Sequence, residues 1–228
     1  MNVAEVLAAA RSAGRRYLCE DEVKEILQRV GVPVTPCYLA RSEEEAVARA
    51  IEVGYPVVLK VRSPLIAHKS DSGGVVLNLA NGYQVRRAYR QIMDRVKGVD
   101  PEAAVTVQPM ASPGREVIVG FTVDRQFGPV LMCGFGGIFA EVLGDVSFRL
   151  VPVEPDMARD MVRSLRGYRL LAGYRGIPPA DEGALVDILV KVSGLAAAFP
   201  QIQEMDLNPV VVYERGALVL DARAVLAD

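Results

Sequence analysis

The chain has 228 residues, 51% of them apolar, with 26 basic and 28 acidic side chains and a net charge of −2. That length and apolar content support one large domain or two small lobes around a shared cleft, and they exclude wholesale disorder. The near-balance of charge gives no bulk electrostatic reason to bind nucleic acid or a membrane surface.

Cys19, Cys37 and Cys133 are odd in number and far apart, with no CxxC or His/Cys spacing. That argues against a structural zinc site and for small buried thiols in a reducing cytosol. The start, Met1 to Val6, has neither the basic residues nor the apolar core of a signal peptide. No apolar run approaches the ~20 residues that span a bilayer. The expected location is cytoplasmic.

In chain order, residues 3–13 carry helical spacing, with Asn2 and Gly14 as caps. A second helix is expected over Asp21 to Val30, stopped by Gly31, and Val34 to Leu39 alternates like a strand. Ser42-Glu43-Glu44-Glu45 reads as a capping box opening a helix that ends near Gly54. Pro56 to Val61 and Val75 to Leu79 are predicted strands, and Asn81 caps a helix to about Val96. A second half begins near Ala104, with strands at Val105 to Met110, Glu116 to Val123, Pro129 to Cys133 and Ser147 to Leu150. Helices follow at about Pro155–Leu165 and Asp181–Phe199, then a hairpin of Glu204 to Val212 and Ala217 to Asp221. This order of elements predicts α+β lobes, divided as 1–104 and 105–228, rather than a doubly wound sheet.

The sole histidine opens His68-Lys69-Ser70-Asp71-Ser72-Gly73-Gly74. A neutral imidazole can accept a phosphoryl group near pH 7 and pass it on, and small polar residues with glycines can close around phosphate oxygens. The segment equally fits a polar hairpin turn, and it is not a Walker A sequence. Upstream, Lys60 closes an apolar run, where its ammonium could meet an α- or β-phosphate or simply reach solvent. Gly134-Phe135-Gly136-Gly137 is a second glycine-rich loop, followed by Arg149, which could bind phosphate bidentately or form a surface ion pair. Glu204, Asp206 and Asn208 share one strand face, and the facing strand brings Asp221. Oxygen donors so placed suit Mg²⁺, although a solvated acidic face has the same pattern.

Together, the stretches LK, HKSDSGGV, GFGGIFAEVLGD, FRLVP, EMDLNP and LDAR resemble the ATP-grasp β subunits of ADP-forming acyl-CoA synthetases, over nearly the whole chain and in the same order. The resemblance implies an ATP-grasp fold, two lobes with a nucleotide cleft, in which an N-terminal lobe carries the phosphate loop. The C-terminal lobe would carry the hinge, the glycine loop and the metal site. It implies that Lys60 and the loop Ser70, Asp71, Gly73 and Gly74 bind ATP or ADP phosphates. Val107, Gln108 and Met110 would line the hinge that receives adenine, with backbone groups reading the base. Glu116 would be a carboxylate near nucleotide or metal, and Arg149 would offset phosphate charge. Asn208 and Asp221 would hold Mg²⁺, His68 would carry the phosphoryl group, and Asp206 would stand by the phosphohistidine or the metal. It further implies a CoA-binding α subunit as partner, in an α2β2 hetero-oligomer. Two other readings are an ATP-grasp carboxylate–amine ligase, which needs no histidine carrier, and a non-catalytic nucleotide-binding module.

Overall fold

The computed structural model describes residues 2–66, 69, 73–136 and 144–227. Helices begin where local chemistry says they should. The Asn2 side chain accepts from the Glu5 N–H and Glu5 reaches back to the Asn2 N–H, opening α1 (Val3–Ser12). Ser42 caps α3 (Glu43–Val53), but the Glu45 carboxylate takes the Arg41 N–H at 2.7 Å, one residue short of a reciprocal box. Asn81 caps α4 (Gly82–Val96).

The chain divides into two units, each built from separated stretches: 17–24 with 35–112, and 1–16 with 25–34 and 113–228. The divide falls inside α2 (Glu20–Arg29), just after Lys24.

In the first unit, β2 (Tyr38–Ala40), β5 (Ala104–Pro109), β3 (Val57–Arg62) and β4 (Val75–Leu79) form a four-stranded antiparallel sheet in that order. The division expected at residue 104 would therefore split β5 internally and part it from both strands it pairs with. Alternation sorts the two central strands. Val57, Leu59, Val61, Val105 and Val107 join a core with Ala46 and Ala50 of α3 and Val85, Ala88 and Ile92 of α4. Val58, Lys60, Thr106 and Gln108 face the other way, with Lys60 directly opposite Thr106 and Val58 opposite Gln108. The strand expected at 34–39 begins only at Tyr38.

In the second unit, β11 (Ala222–Leu226), β9 (Ile202–Val212), β6 (Arg115–Asp124), β7 (Gly128–Phe135) and β8 (Val146–Leu150) run side by side, antiparallel throughout. A short β10 (Ala217–Val219) pairs with the end of β9. Helices α5 (Pro155–Arg163) and α7 (Glu182–Ala198) pack on this sheet. Their face carries Val117, Val119, Phe121, Leu131, Cys133, Met205 and Leu207, all buried. The expected hairpin holds, but the strand beside Asp206 is β11, which the sequence reading missed, as it missed the short α6 (Tyr168–Ala172) and the two-residue β1 (Tyr17–Leu18). Among the described residues no helix is long and apolar enough to cross a membrane.

Candidate functional site

Lys60 lies on the polar face of β3 and is 7% exposed. It neither reaches solvent nor stands alone. Its ammonium lies 2.9 Å from Oε1 of Glu20, in the first turn of α2. The same oxygen accepts from Lys24 Nζ at 2.7 Å and from Gln108 Nε2 at 2.9 Å, and Oε2 accepts from Lys69 Nζ at 2.7 Å. Lys24 also donates to Thr35 Oγ1 at 2.6 Å and Gln108 Oε1 at 2.7 Å. Burial works to raise the Glu20 carboxyl, but the ammonium groups of Lys60, Lys69 and Lys24 outweigh it and hold it well below the usual carboxylate range. Burial pulls Lys24 below the ordinary lysine value, with Glu20 opposing the shift. A charged group this deep survives only when paired and hydrogen-bonded. Among the described residues no buried side-chain nitrogen or oxygen lacks a hydrogen-bond partner.

The turn that precedes β4 is held against β3. The Gly74 N–H donates to the Lys69 carbonyl at 2.7 Å, and the Gly74 carbonyl accepts from the Val61 N–H at 2.7 Å. A Cβ on Gly74 would lie 2.4 Å from Val61 Cγ1, so only glycine permits this approach. Gly73 has φ +64°, and its carbonyl accepts from Arg95. His68, Ser70 and Asp71 lie outside the described residues, as do residues 137–143 of the second glycine loop.

The expected hinge is only partly available to a base. Val107 sits mid-sheet between Tyr38 and Leu59 with its side chain in the core, and the Gln108 carboxamide is spent on the Glu20 cluster. The Met110 N–H donates to the Pro56 carbonyl at 3.2 Å. A reading of adenine there falls to the backbone of this segment, since the Gln108 side chain is turned away.

In the second unit, cross-strand register places Asp206 (β9) opposite Gly120 (β6) on one side and Arg223 (β11) on the other. Glu116, Gly120 and Asp206 thus share the face away from α5 and α7. Arg223 is tied to Glu204 at 2.8 Å. Asn208 is exposed at an irregularity in β9 where it and Pro209 together lie opposite Ile118 of β6, and its N–H donates to the Asp221 carbonyl at 3.2 Å. Asp221 belongs to no strand; it joins β10 to β11, and its Oδ1 accepts from the Ala222 N–H. The two expected metal ligands are joined by that backbone hydrogen bond and bring one carboxylate and one carboxamide. Such a pair fits Mg²⁺, which keeps most of its shell for water and phosphate. Among the described residues no group of three or more His, Cys, Asp or Glu is gathered for a metal.

Arg149 does not join that face. It is opposite Leu131, which is opposite Phe121, so it emerges with Ser147 on the side that carries α5 and α7. Its guanidinium donates to Ser147 Oγ at 3.4 Å and the Phe148 carbonyl at 2.7 Å. The thiols of Cys37 and Cys133 are each pushed up to about 12, chiefly by burial.

Four residues of these arrangements had been given no role from sequence: Glu20, Lys24, Lys69 and Arg223. One signal was present. Thr106 and Gln108 alternate with Val105 and Val107, marking a polar face that a buried strand has to satisfy.

Comparison with known proteins adds the following. A model of the ATP-grasp domain matches residues 9–226. The β subunit of acetate–CoA ligase [ADP-forming] I from Pyrococcus furiosus is 48% identical over 225 residues, covering 97% of each chain. Acetate–CoA ligase [ADP-forming] II from Archaeoglobus fulgidus is 46% identical over 92% of this chain, which spans only 30% of that longer protein. Among solved structures, acetyl-coenzyme A synthetase 1 of Candidatus Korarchaeum cryptofilum superposes with a TM-score of 0.87 at 42% identity, over 99% of this chain and 100% of that one. It was solved with coenzyme A and Mg-AMPPCP, its phosphohistidine segment pointing towards the nucleotide binding site.

Proposed function

Because the chain belongs to the ATP-grasp domain family, and within it to the β subunits of ADP-forming acetate–CoA ligases, we propose that it is the nucleotide-binding subunit of an acid–CoA ligase. In that reaction acyl-CoA, ADP and phosphate are converted reversibly to free acid, CoA and ATP. A separate CoA-binding α subunit completes the enzyme, as an α2β2 assembly in the cytoplasm. The β-subunit naming of the Pyrococcus relative and the longer single chain of the Archaeoglobus one support a second part.

The observation that carries this reading is the Lys60 ammonium, buried and ion-paired to Glu20 on the polar face of β3, one strand from the glycine turn that follows the His68 segment. Lys60 with Ser70, Asp71, Gly73 and Gly74 holds the nucleotide phosphates, and the backbone of 107–110 receives the base. His68 is the carrier. Its ring nitrogen bonds to the γ-phosphorus of ATP as the bond from that phosphorus to the β–γ bridging oxygen breaks, and ADP leaves with the electron pair. The reverse step returns the group to ADP. Little covalent work is asked of the protein beyond this, so positioning and charge neutralisation supply the catalysis. Asn208 and Asp221 hold Mg²⁺, which when bound offsets charge on the phosphates. Asp206 and Glu116, which share one face of the second unit's sheet, would supply carboxylates for the metal or, in the case of Asp206, for the carrier.

The metal assignment is tested by calorimetric titration of ADP into the wild-type chain and an Asp221→Asn variant, with and without Mg²⁺. The wild type gains affinity with Mg²⁺, and the variant loses about 10-fold or more of that gain. An unchanged Mg²⁺ dependence in the variant would remove Asp221 from the metal site.

A further inference from the structure

We infer that Glu20 is the positioning residue of the phosphoryl-transfer site, one carboxylate that fixes both Lys60 and Lys69, and that Lys69 is a second cation serving the transferred group. The inference rests on the proposed role of His68. Its basis is the way a single buried side chain is shared. Oε1 takes Lys60 at 2.9 Å and Oε2 takes Lys69 at 2.7 Å, from residues 40 and 49 positions along the chain. A carboxylate needed only to stabilise α2 would be satisfied by Lys24, one helical turn away at 2.7 Å. Glu20 instead ties the lysine of β3 to the residue that directly follows His68. The position of the carrier segment's first described residue is thereby coupled to that of the phosphate-binding lysine.

Glu20 is contacted by Lys24 on its own helix, Lys60 on β3, Lys69, and Gln108 on β5, and behind these Thr35 accepts from Lys24 while Cys37 and Thr106 accept from Gln108. Asp21, the next residue, is turned to Arg62, whose Nε lies 2.9 Å from Oδ2. Glu20 thus holds the ammonium groups in place before substrate arrives. An arriving phosphoryl group can then draw Lys60 or Lys69 toward itself while Lys24 and Gln108 keep Glu20 in position. That is preorganised electrostatic stabilisation, with reorganisation done in advance of the chemical step.

The test uses the chain assembled with its CoA-binding partner. Single-turnover transfer from γ-labelled ATP to His68 is followed across ATP concentration for the wild type, Glu20→Gln and Lys69→Met, with circular dichroism and melting as fold controls. Glu20→Gln slows transfer about 100-fold at saturating ATP while its melting stays near that of the wild type, because Lys60 and Lys69 lose the carboxylate that places them. Lys69→Met slows transfer about 10-fold or more with little change in ATP affinity, a split that a structural role would not produce. If Glu20→Gln does not fold, Lys69→Met decides alone. Wild-type transfer rates at saturating ATP in the variants would overturn the inference while leaving His68 as carrier. A wild type that forms no phosphohistidine would instead remove the functional reading and this inference with it.

Discussion

Lys60→Met in the assembled enzyme is expected to slow phosphoryl transfer by about 100- to 1,000-fold while the fold survives. Two features of the cluster separate these outcomes. On the functional side, Lys60 is the buried cation of β3, and in the proposed role a desolvated ammonium beside a transferring phosphate would be worth far more than the same charge in water. On the structural side, its removal does not strand Glu20. The carboxylate still receives Lys24 at 2.7 Å, Lys69 at 2.7 Å and Gln108 at 2.9 Å. Methionine nearly matches the lysine stem in volume, so no large cavity opens in the unit. Stopped-flow or quench-flow transfer rates beside melting curves check both halves. A variant with wild-type transfer would show that Lys60 is a structural strut, and one that fails to fold would show that the remaining partners do not suffice.

Glu20→Ala carries the opposite expectation: loss of the fold before loss of chemistry. The same ammonium groups then surround a vacated position, and Lys24, 1% exposed, loses its ion-pair partner. Removing one member of a buried charge pair costs about 3–5 kcal/mol, a large part of a domain's margin. The acid dependence gives a second signature. Glu20 is held well below the ordinary carboxyl value of 4.5 in the folded chain. A depressed folded value means that the stabilisation is fully present above the unfolded value and is lost as pH falls through the folded one. Wild-type stability should therefore drop below about pH 4.5, and the difference between wild type and Glu20→Ala should shrink over that window. Other carboxylates, Asp181 and Glu182 among them, also titrate low and contribute to the wild-type curve, so the difference curve isolates Glu20. Urea melts from pH 3 to 7 make the measurement; parallel curves for the two proteins would contradict the ion-pair account.

These two residues also show what the chain discloses locally and what it does not. Helix starts at Asn2, Ser42 and Asn81 were legible because capping is settled within a few residues of sequence. Lys60 was legible as a polar residue ending an apolar run. Glu20 was not, because Glu20-Asp21-Glu22 looks like any acidic first turn favoured by the helix dipole, and only the register of β3 and β5 brings Lys60 and Gln108 to it. The sheet face that Arg149 takes was hidden for a related reason. Its strand was correctly read, but which face it presents depends on pairing with β7, and a shift of one residue reverses the side. The neighbourhood of Asn208 and Asp221 was anticipated through a simple hairpin. The structure reaches it differently, with Asp221 at a junction and β11 supplying the partner strand for Asp206. That strand does alternate, with Ala222, Ala224 and Leu226 buried, but five short residues near the end of the chain made a weak signal. The five-residue α6 is likewise too short for helical periodicity to register.

The most direct measurement incubates the purified chain with Mg²⁺ and γ-labelled ATP, with and without the CoA-binding partner, beside a His68→Ala variant. An acid-labile, base-stable label on the wild type and none on the variant is the predicted result, and it would exclude both a carboxylate–amine ligase and a non-catalytic nucleotide-binding module. An unlabelled wild type that still binds ATP in the presence of its partner would contradict the account at its centre, because His68 would then carry nothing.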